Sequence, residues 1–234
     1  MRILAVDTAT ESCSAALLID GGGLLAREQR LDRGHAEAIL PMVDELLKEA
    51  GTPLAALDAI AFGRGPGAFT GVRLAASVAQ GLAFGAGVPV VPVSDLRALA
   101  QRALDVERAV DRVLVCADAR MHEVYWGCFE RSAAGLARVV GEEQVGKPAL
   151  VGLPTPWSAP AGAPVWGAGS GFAAYPGVRA ALGAQAAQVF ADFLPRASEI
   201  ARLAAAEVTA GRILPAEQAL PVYLRDDVTH RGSR

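Results

Sequence analysis

Two short stretches and six scattered side chains in this chain of 234 residues are of types that could do chemistry. Asp7 and Thr8 close the β-branched run of residues 3–6. A carboxylate with hydroxyls at the end of a buried strand can hold a hydrated metal or a phosphate, and the same groups can equally cap a turn. The second stretch, residues 63–71, reads GRGPGAFTG. Glycine tolerates positive φ and close backbone approach, and such a turn opening a helix leaves N–H groups free for a phosphate or another chain's backbone. Asp7, Thr8, Gly65, Gly67, Thr70 and Gly71 are therefore the candidate phosphate-binding set, with Thr70 expected to cap the helix. The stretch matches neither G-x-x-x-x-G-K-[ST] nor a clean G-x-G-x-x-G and lacks the phosphate-binding lysine. A tight connection without a ligand stays open beside the phosphate reading. His35, His122 and His230 show no ligand spacing, so no metal site is expected; His122 with Glu123 reads as a surface pair. Cys13, Cys116 and Cys128, odd in number and without a C-x-x-C pair, read as buried free thiols.

The elements that must position these groups alternate strand and helix. Strands are expected over residues 3–6, 15–19 and 24–29, followed by an amphipathic helix over 34–50 in which Ile39, Val43, Leu46, Leu47 and Ala50 recur every three or four residues. Pro41 inside it predicts a kink or a helix beginning at Pro41. A strand over 57–62 leads into the glycine-rich turn and a helix over 70–84. A strand over 88–93 follows, and then a short helix from Asp95 capped by Ser94. This order predicts a mixed five-stranded sheet with helices on its faces. The helix over 70–84 is apolar nearly all round, with Arg73, Ser77 and Gln80 on one stripe and Ala75, Ala76, Ala79 and Ala83 leaving room for close packing. Such a helix is buried on most sides, by its own core or by a partner.

The pattern then partly repeats. A strand over 112–117 again ends in aspartate, Asp118, and another covers 123–129. Residues 147–176 are rich in proline and glycine, and only 163–167 look strand-like. An Ala-rich helix covers 198–210, and the tail from residue 221 is expected to fray. The expectation is a duplicated fold with a reduced second copy. The N-terminal lobe spans residues 1–104, completed by the helix and turn at 198–218, and the smaller lobe spans 105–197.

Bulk properties narrow the functions. Hydrophobic residues make up 52% and charged residues 20% of the chain, as in a globular protein. A net charge of −3 gives no electrostatic reason for tight nucleic-acid binding by this chain alone. No run is long enough for a membrane helix and no leader is visible, so a cytoplasmic protein is expected.

Four motifs in this order, VDTATESCSAAL at 6–17, GRGPGAFTGVRLAASVAQGLA at 63–83, DARMHEVYWGCF at 118–129 and PVYLRDDV at 221–228, resemble the TsaB (YeaZ) family. That resemblance implies a two-lobed α/β fold of the actin, Hsp70 and sugar-kinase type, with ribonuclease-H-like lobes. It further implies a non-catalytic partner of TsaD, which transfers the threonylcarbamoyl group to adenosine next to the anticodon of tRNAs reading codons that begin with A. The ATPase TsaE completes the assembly, and tRNA is met only through the complex. No catalytic residue and no cofactor are expected in this chain, with ATP only in the complex. The two metal-binding histidines of the paralogue align with Asp95 and Leu99, and leucine cannot ligate a metal. Family members associate with TsaD or with themselves through the first two helices, which makes Ile39, Met42, Val43, Leu46, Arg73, Ala76, Ser77 and Gln80 the candidate interface. The chain departs from the family in its tail, with Thr229 to Gly232 where many members carry tryptophan and lysine. An independent nucleotide-binding enzyme and, less favoured, a metallopeptidase are the competing readings.

Overall fold

The computed structural model describes residues 1–106, 108–157 and 163–225. The first sheet is built from β1 (Ile3–Asp7), β2 (Ser12–Ile19), β3 (Gly23–Arg30), β4 (Ala59–Gly63) and β5 (Val90–Val93), in the order β3-β2-β1-β4-β5. β1 pairs antiparallel with β2 and parallel with β4, so the chain folds back twice and then crosses over. The crossover is made by α1 (His35–Glu49), and α2 (Phe69–Ala86) makes the next one, from β4 to β5.

Alternation along β1 distributes its side chains between two cores. Leu4 and Val6 face α1 and α2, where Ile39, Met42, Val43 and Leu46 close one core with Phe62 and the alanines of α2. Burial of each such side chain stabilises the fold by about 1.5–3 kcal/mol. Ile3 and Ala5 face the other way, onto Ile200, Leu203 and Ala204 of α5 (Ala197–Thr209).

The second sheet repeats the first. β6 (Arg112–Asp118), β7 (Val124–Arg131), β8 (Ala137–Gly146), β9 (Val165–Ala168) and β10 (Ala186–Phe190) run in the order β10-β9-β6-β7-β8. Read from the other edge this is the first sheet's order, and the parallel and antiparallel pairings correspond one for one. The second copy is reduced in its helices and not in its sheet, which has all five strands. Short 3-10 turns replace α1, and the four-residue α4 (Gly171–Ala174) with a 3-10 stretch replaces α2. The helix following each sheet covers the opposite lobe. α3 (Asp95–Val106) packs Leu96, Leu99, Ala103 and Leu104 on Val113, Val115, Phe129 and Trp166 of the second sheet, while α5 covers the first. The two helices touch and form the layer between the sheets.

Several local expectations change. α1 runs unbroken through Pro41, because the proline lies on the exposed side where water can serve the carbonyl it leaves unbonded. Thr70 does not cap α2: the N-cap is Ala68, with no side-chain cap, and Thr70 is already inside the helix. Ser94 does cap α3, its Oγ accepting from the Arg97 N–H at 3.2 Å. Of the tail expected to fray, residues 221–225 lie across the cleft between the lobes, where the Val222 N–H donates to the Arg64 carbonyl at 2.8 Å, and residues 226–234 lie outside the described residues.

Candidate functional site

Asp7 ends β1 and Asp95 begins α3, and the sheet order brings β1 and β5 to either side of β4, where Gly63 ends the strand. The two carboxyl groups meet across Gly63. A Cβ there would overlap Asp95 Oδ1 and come within 2.7 Å of Asp7 Oδ1. Asp7 Oδ1 accepts from the Ala9 N–H at 2.9 Å, and Asp95 Oδ2 accepts from the Gly65 N–H at 2.5 Å. The remaining oxygens, Asp7 Oδ2 and Asp95 Oδ1, are buried without any partner other than each other's carboxyl group. Two buried carboxylates in contact cannot both ionise at low cost, so the pair shares a proton. Burial pushes Asp7 up to about 6. Burial, and then the Asp7 charge, push Asp95 well above the carboxylate range.

The glycine-rich turn is fitted against the chain's own backbone. A Cβ on Gly71 would overlap the Thr8 carbonyl oxygen, and one on Gly67 would lie 2.6 Å from that of Ala9. Thr8 Oγ1 donates to the Gly71 carbonyl at 2.7 Å, and the Ala68 N–H donates to Ala9. The Gly65–Pro66 peptide bond is cis. Asp7, Thr8, Gly65, Gly67 and Gly71 thus lie near one another, with exposed Thr70 at the rim. They pack on one another around the turn between β1 and β2, and the outer side of the loop, at Pro66, Gly67 and Ala68, lines a cavity of about 470 Å³. Asp95 was missed as the partner of Asp7. Its signal was an aspartate directly after a strand of the same sheet, readable only once the strand order is known.

The interface set divides. Ile39, Met42, Val43, Leu46 and Ala76 face the first lobe's own core, which corrects their assignment to a docking surface: an amphipathic helix turns its apolar stripe inward first. Arg73 and Ser77 are exposed, and Gln80 is half-buried, its Nε2 donating to the Ala216 carbonyl at 3.2 Å. The exposed side of α2 continues from Ser77 through Gly81 to Gly85, where a Cβ would meet nothing, and carries Phe84 at 80% exposure. On α1 the exposed large apolar residue is Leu40, at 49%. The spacing of Ser77, Gly81 and Gly85 could have shown this bare stripe. Arg73 lies 3.4 Å over the Phe69 ring and donates from Nε to the Tyr223 hydroxyl at 2.7 Å.

The other singled-out residues are dispersed. His35 Nε2 is 2.9 Å from the Thr10 carbonyl oxygen, His122 is exposed in the turn between β6 and β7, and His230 lies outside the described residues. Glu123 pairs with Arg225 rather than His122. Among the described residues no three metal-ligating side chains come together. Cys13, Cys116 and Cys128 are buried free thiols, and desolvation pushes Cys13 up to about 11 and the other two up to about 12. Of the two positions aligned with the paralogue's histidines, Asp95 is held by Asp7 and Leu99 packs in the second lobe's core.

Two sheets of one topology joined through a helical layer define a two-lobed α/β protein. The chain belongs to the TsaB (YeaZ) family. Residues 25–231 match the family model described as "TsaD: tRNA N6-adenosine threonylcarbamoyltransferase". The chain is 41% identical to the tRNA threonylcarbamoyladenosine biosynthesis protein TsaB of Escherichia coli strain K12, over 97% of this chain and 96% of that protein. The Haemophilus influenzae protein of the same name is 52% identical over 54% of this chain and 52% of its own length. Among solved structures, YeaZ from Pseudomonas aeruginosa superposes with a TM-score of 0.84 at 46% identity, over 95% of this chain and 99% of that one. Another structure from Pseudomonas aeruginosa, described as an uncharacterized protein with similarity to peptidase YEAZ, gives 0.87 at 47% identity, covering 96% and 99%.

Proposed function

We propose that this chain acts in the biosynthesis of N6-threonylcarbamoyladenosine on tRNA as a non-catalytic partner of TsaD, docking through the exposed side of α1 and α2. The observation that carries the reading is the filled loop. The glycines that could have cradled a phosphate hold the chain's own Thr8 and Ala9 carbonyls, and Asp7 is taken up by Ala9 and Asp95. With the Gly67 and Gly71 faces and Asp7 engaged by the chain itself, we take ATP to enter with TsaD and TsaE, and tRNA through the complex. The net charge of −3 agrees with indirect contact to tRNA.

The docking surface follows from exposure. Leu40, Phe84, Ser77, Gly81 and Gly85 form a face on which a partner helix can approach closely, with Arg73 at its edge. A second copy of the chain could use the same face in the absence of TsaD. A peptidase reading has one superficial support, since two carboxyl groups sharing a proton resemble an aspartic-protease dyad. Asp7 at 0% and Asp95 at 2% exposure are out of reach of a peptide.

The test is reconstitution with tRNA, ATP, threonine, bicarbonate, the adenylate-forming enzyme, TsaD and TsaE. Modified adenosine is expected only when this chain is added. Equal product without it would refute the partner reading.

A further inference from the structure

Two cavities of about 610 and 470 Å³ lie between the lobes, and Val222 and Leu224 line both. They are halves of one cleft parted by a wall a single segment thick. The larger half has a charged floor that includes Arg64, Arg97, Glu143 and Glu207, and the smaller is walled by Phe69, Tyr125, Arg73 and Arg120.

The dividing segment is anchored at few points. Before it, the turn at 216–218 is tied to α2 by Gln80. The Val222 N–H then donates to Arg64 and the Tyr223 hydroxyl accepts from Arg73, both on the first lobe. Arg225 reaches the second lobe, where Nη2 donates to the Ala119 carbonyl at 3.3 Å and pairs with Glu123, and Nη1 lies 3.5 Å from Met121 Sδ. The segment joins neither sheet, and Leu220 at its start is exposed.

Beneath the last anchor the backbone is strained. Arg120, Met121 and His122 are consecutive non-glycine residues with φ of 60, 54 and 61°, a conformation that L side chains avoid. The turn they form is closed by the Ala119 N–H donating to the Glu123 carbonyl and the Glu123 N–H donating to that of Arg120, both at 3.0 Å. Arg225 grips both ends of that turn and its middle.

We propose that residues 220–225 are a strap that keeps the interlobe cleft divided, and that Arg225 is its latch, holding the 119–123 turn in its left-handed form. Unlatching joins the charged and aromatic halves into one continuous cleft, so a ligand or partner that captures the Arg225 guanidinium opens it. Strained segments persist where surrounding contacts over-determine them, and they cluster at switches.

Hydrogen–deuterium exchange on the full chain tests this. In Arg225→Ala the amides of Ala119, Glu123 and Val222 are expected to exchange at least tenfold faster than in the wild type, while those of β1 and β6 keep their rates. Glu123→Gln should give the same pattern at smaller amplitude, and Arg225→Lys should restore part of the protection. Unchanged exchange at Ala119 and Glu123 in Arg225→Ala overturns the latch. If Arg225→Ala accelerates every amide alike, the milder Glu123→Gln must still show the local pattern; its failure to do so overturns the proposal as well.

Discussion

Replacing Asp95 with asparagine removes the shared proton while keeping the shape of the buried pair. The asparagine Oδ1 can accept from the Gly65 N–H as Asp95 Oδ2 does, and its amide can donate permanently to Asp7. In the wild type Asp7 rises from an ordinary 3.8 to about 6, chiefly through burial. An acid raised in the folded state contributes stability that is fully present below its unfolded value and is lost as pH climbs through the folded one. At about 1.4 kcal/mol per pH unit, the Asp7 contribution lost between pH 4 and 6 is about 3 kcal/mol. Asp95, raised further with Asp7 and Glu143 both acting on it, extends the loss to higher pH. Burial still raises Asp7 in the variant, so the Asp7 loss cancels in the difference. What the variant removes is the Asp95 titration, which costs the wild type about 1.4 kcal/mol per pH unit while only the folded state keeps that proton, so its stability relative to wild type should grow by about 3 kcal/mol across that window. For a chain of this length that is about 6–12 °C in the difference between melting temperatures. Thermal unfolding of both proteins between pH 4 and 8 measures it. Taking the difference cancels the other titrating groups, among them Glu207, which Arg212 and Arg97 hold below the usual range. Curves that stay parallel within about 1 kcal/mol would refute the shared proton.

Further outcomes follow from the packing. Gly71→Ala drives a methyl into the Thr8 carbonyl and should cost about 3 kcal/mol, read as a lowered denaturation midpoint; an unchanged midpoint would show that the turn relaxes freely. Ser77→Arg, on the exposed side of α2, should weaken binding to TsaD at least tenfold in titration calorimetry while moving stability by no more than about 0.5 kcal/mol. Ala76→Arg, one residue away but in the core, should lower stability by about 3 kcal/mol or more, because an unpaired charge would be buried. Cys13, Cys116 and Cys128 should resist a thiol reagent at pH 8 in the native protein and react together on unfolding. Reaction of one thiol at native rates would show local opening of its core.

What was legible in the sequence follows the physics of each element. Strands β1 and β2 show as apolar runs because both of their faces are buried, and helix α1 shows periodicity because one face is; β1 and α1 form close to their expected limits, and β2 begins earlier, at Ser12. Strand β8 carries exposed or half-buried residues along nearly its whole length, with Glu142 and Glu143 in its middle, so no alternation marks it. Strand β10 is a short edge strand paired only with β9. Without these two strands the reduction of the second lobe, which lies in its helices, reads as extending to its sheet.

The site was legible as a set of residues and opaque as an arrangement. Asp7 and the loop glycines were grouped by type, and they do meet. What they meet is the chain itself, a fact held in the close approach of Gly71 to Thr8, across 63 residues. The pairing of Asp7 with Asp95 depends on β1, β4 and β5 being neighbours in that order, which composition and periodicity do not encode. Five of the eight interface candidates, Ile39, Met42, Val43, Leu46 and Ala76, turn inward for a related reason. Apolar residues on α1 satisfy its own sheet before any partner, so the surface proposed for TsaD is written in the residues a hydrophobicity count passes over: Ser77, Gly81 and Gly85, which do little for the core and leave α2 bare enough for another helix to lie against it.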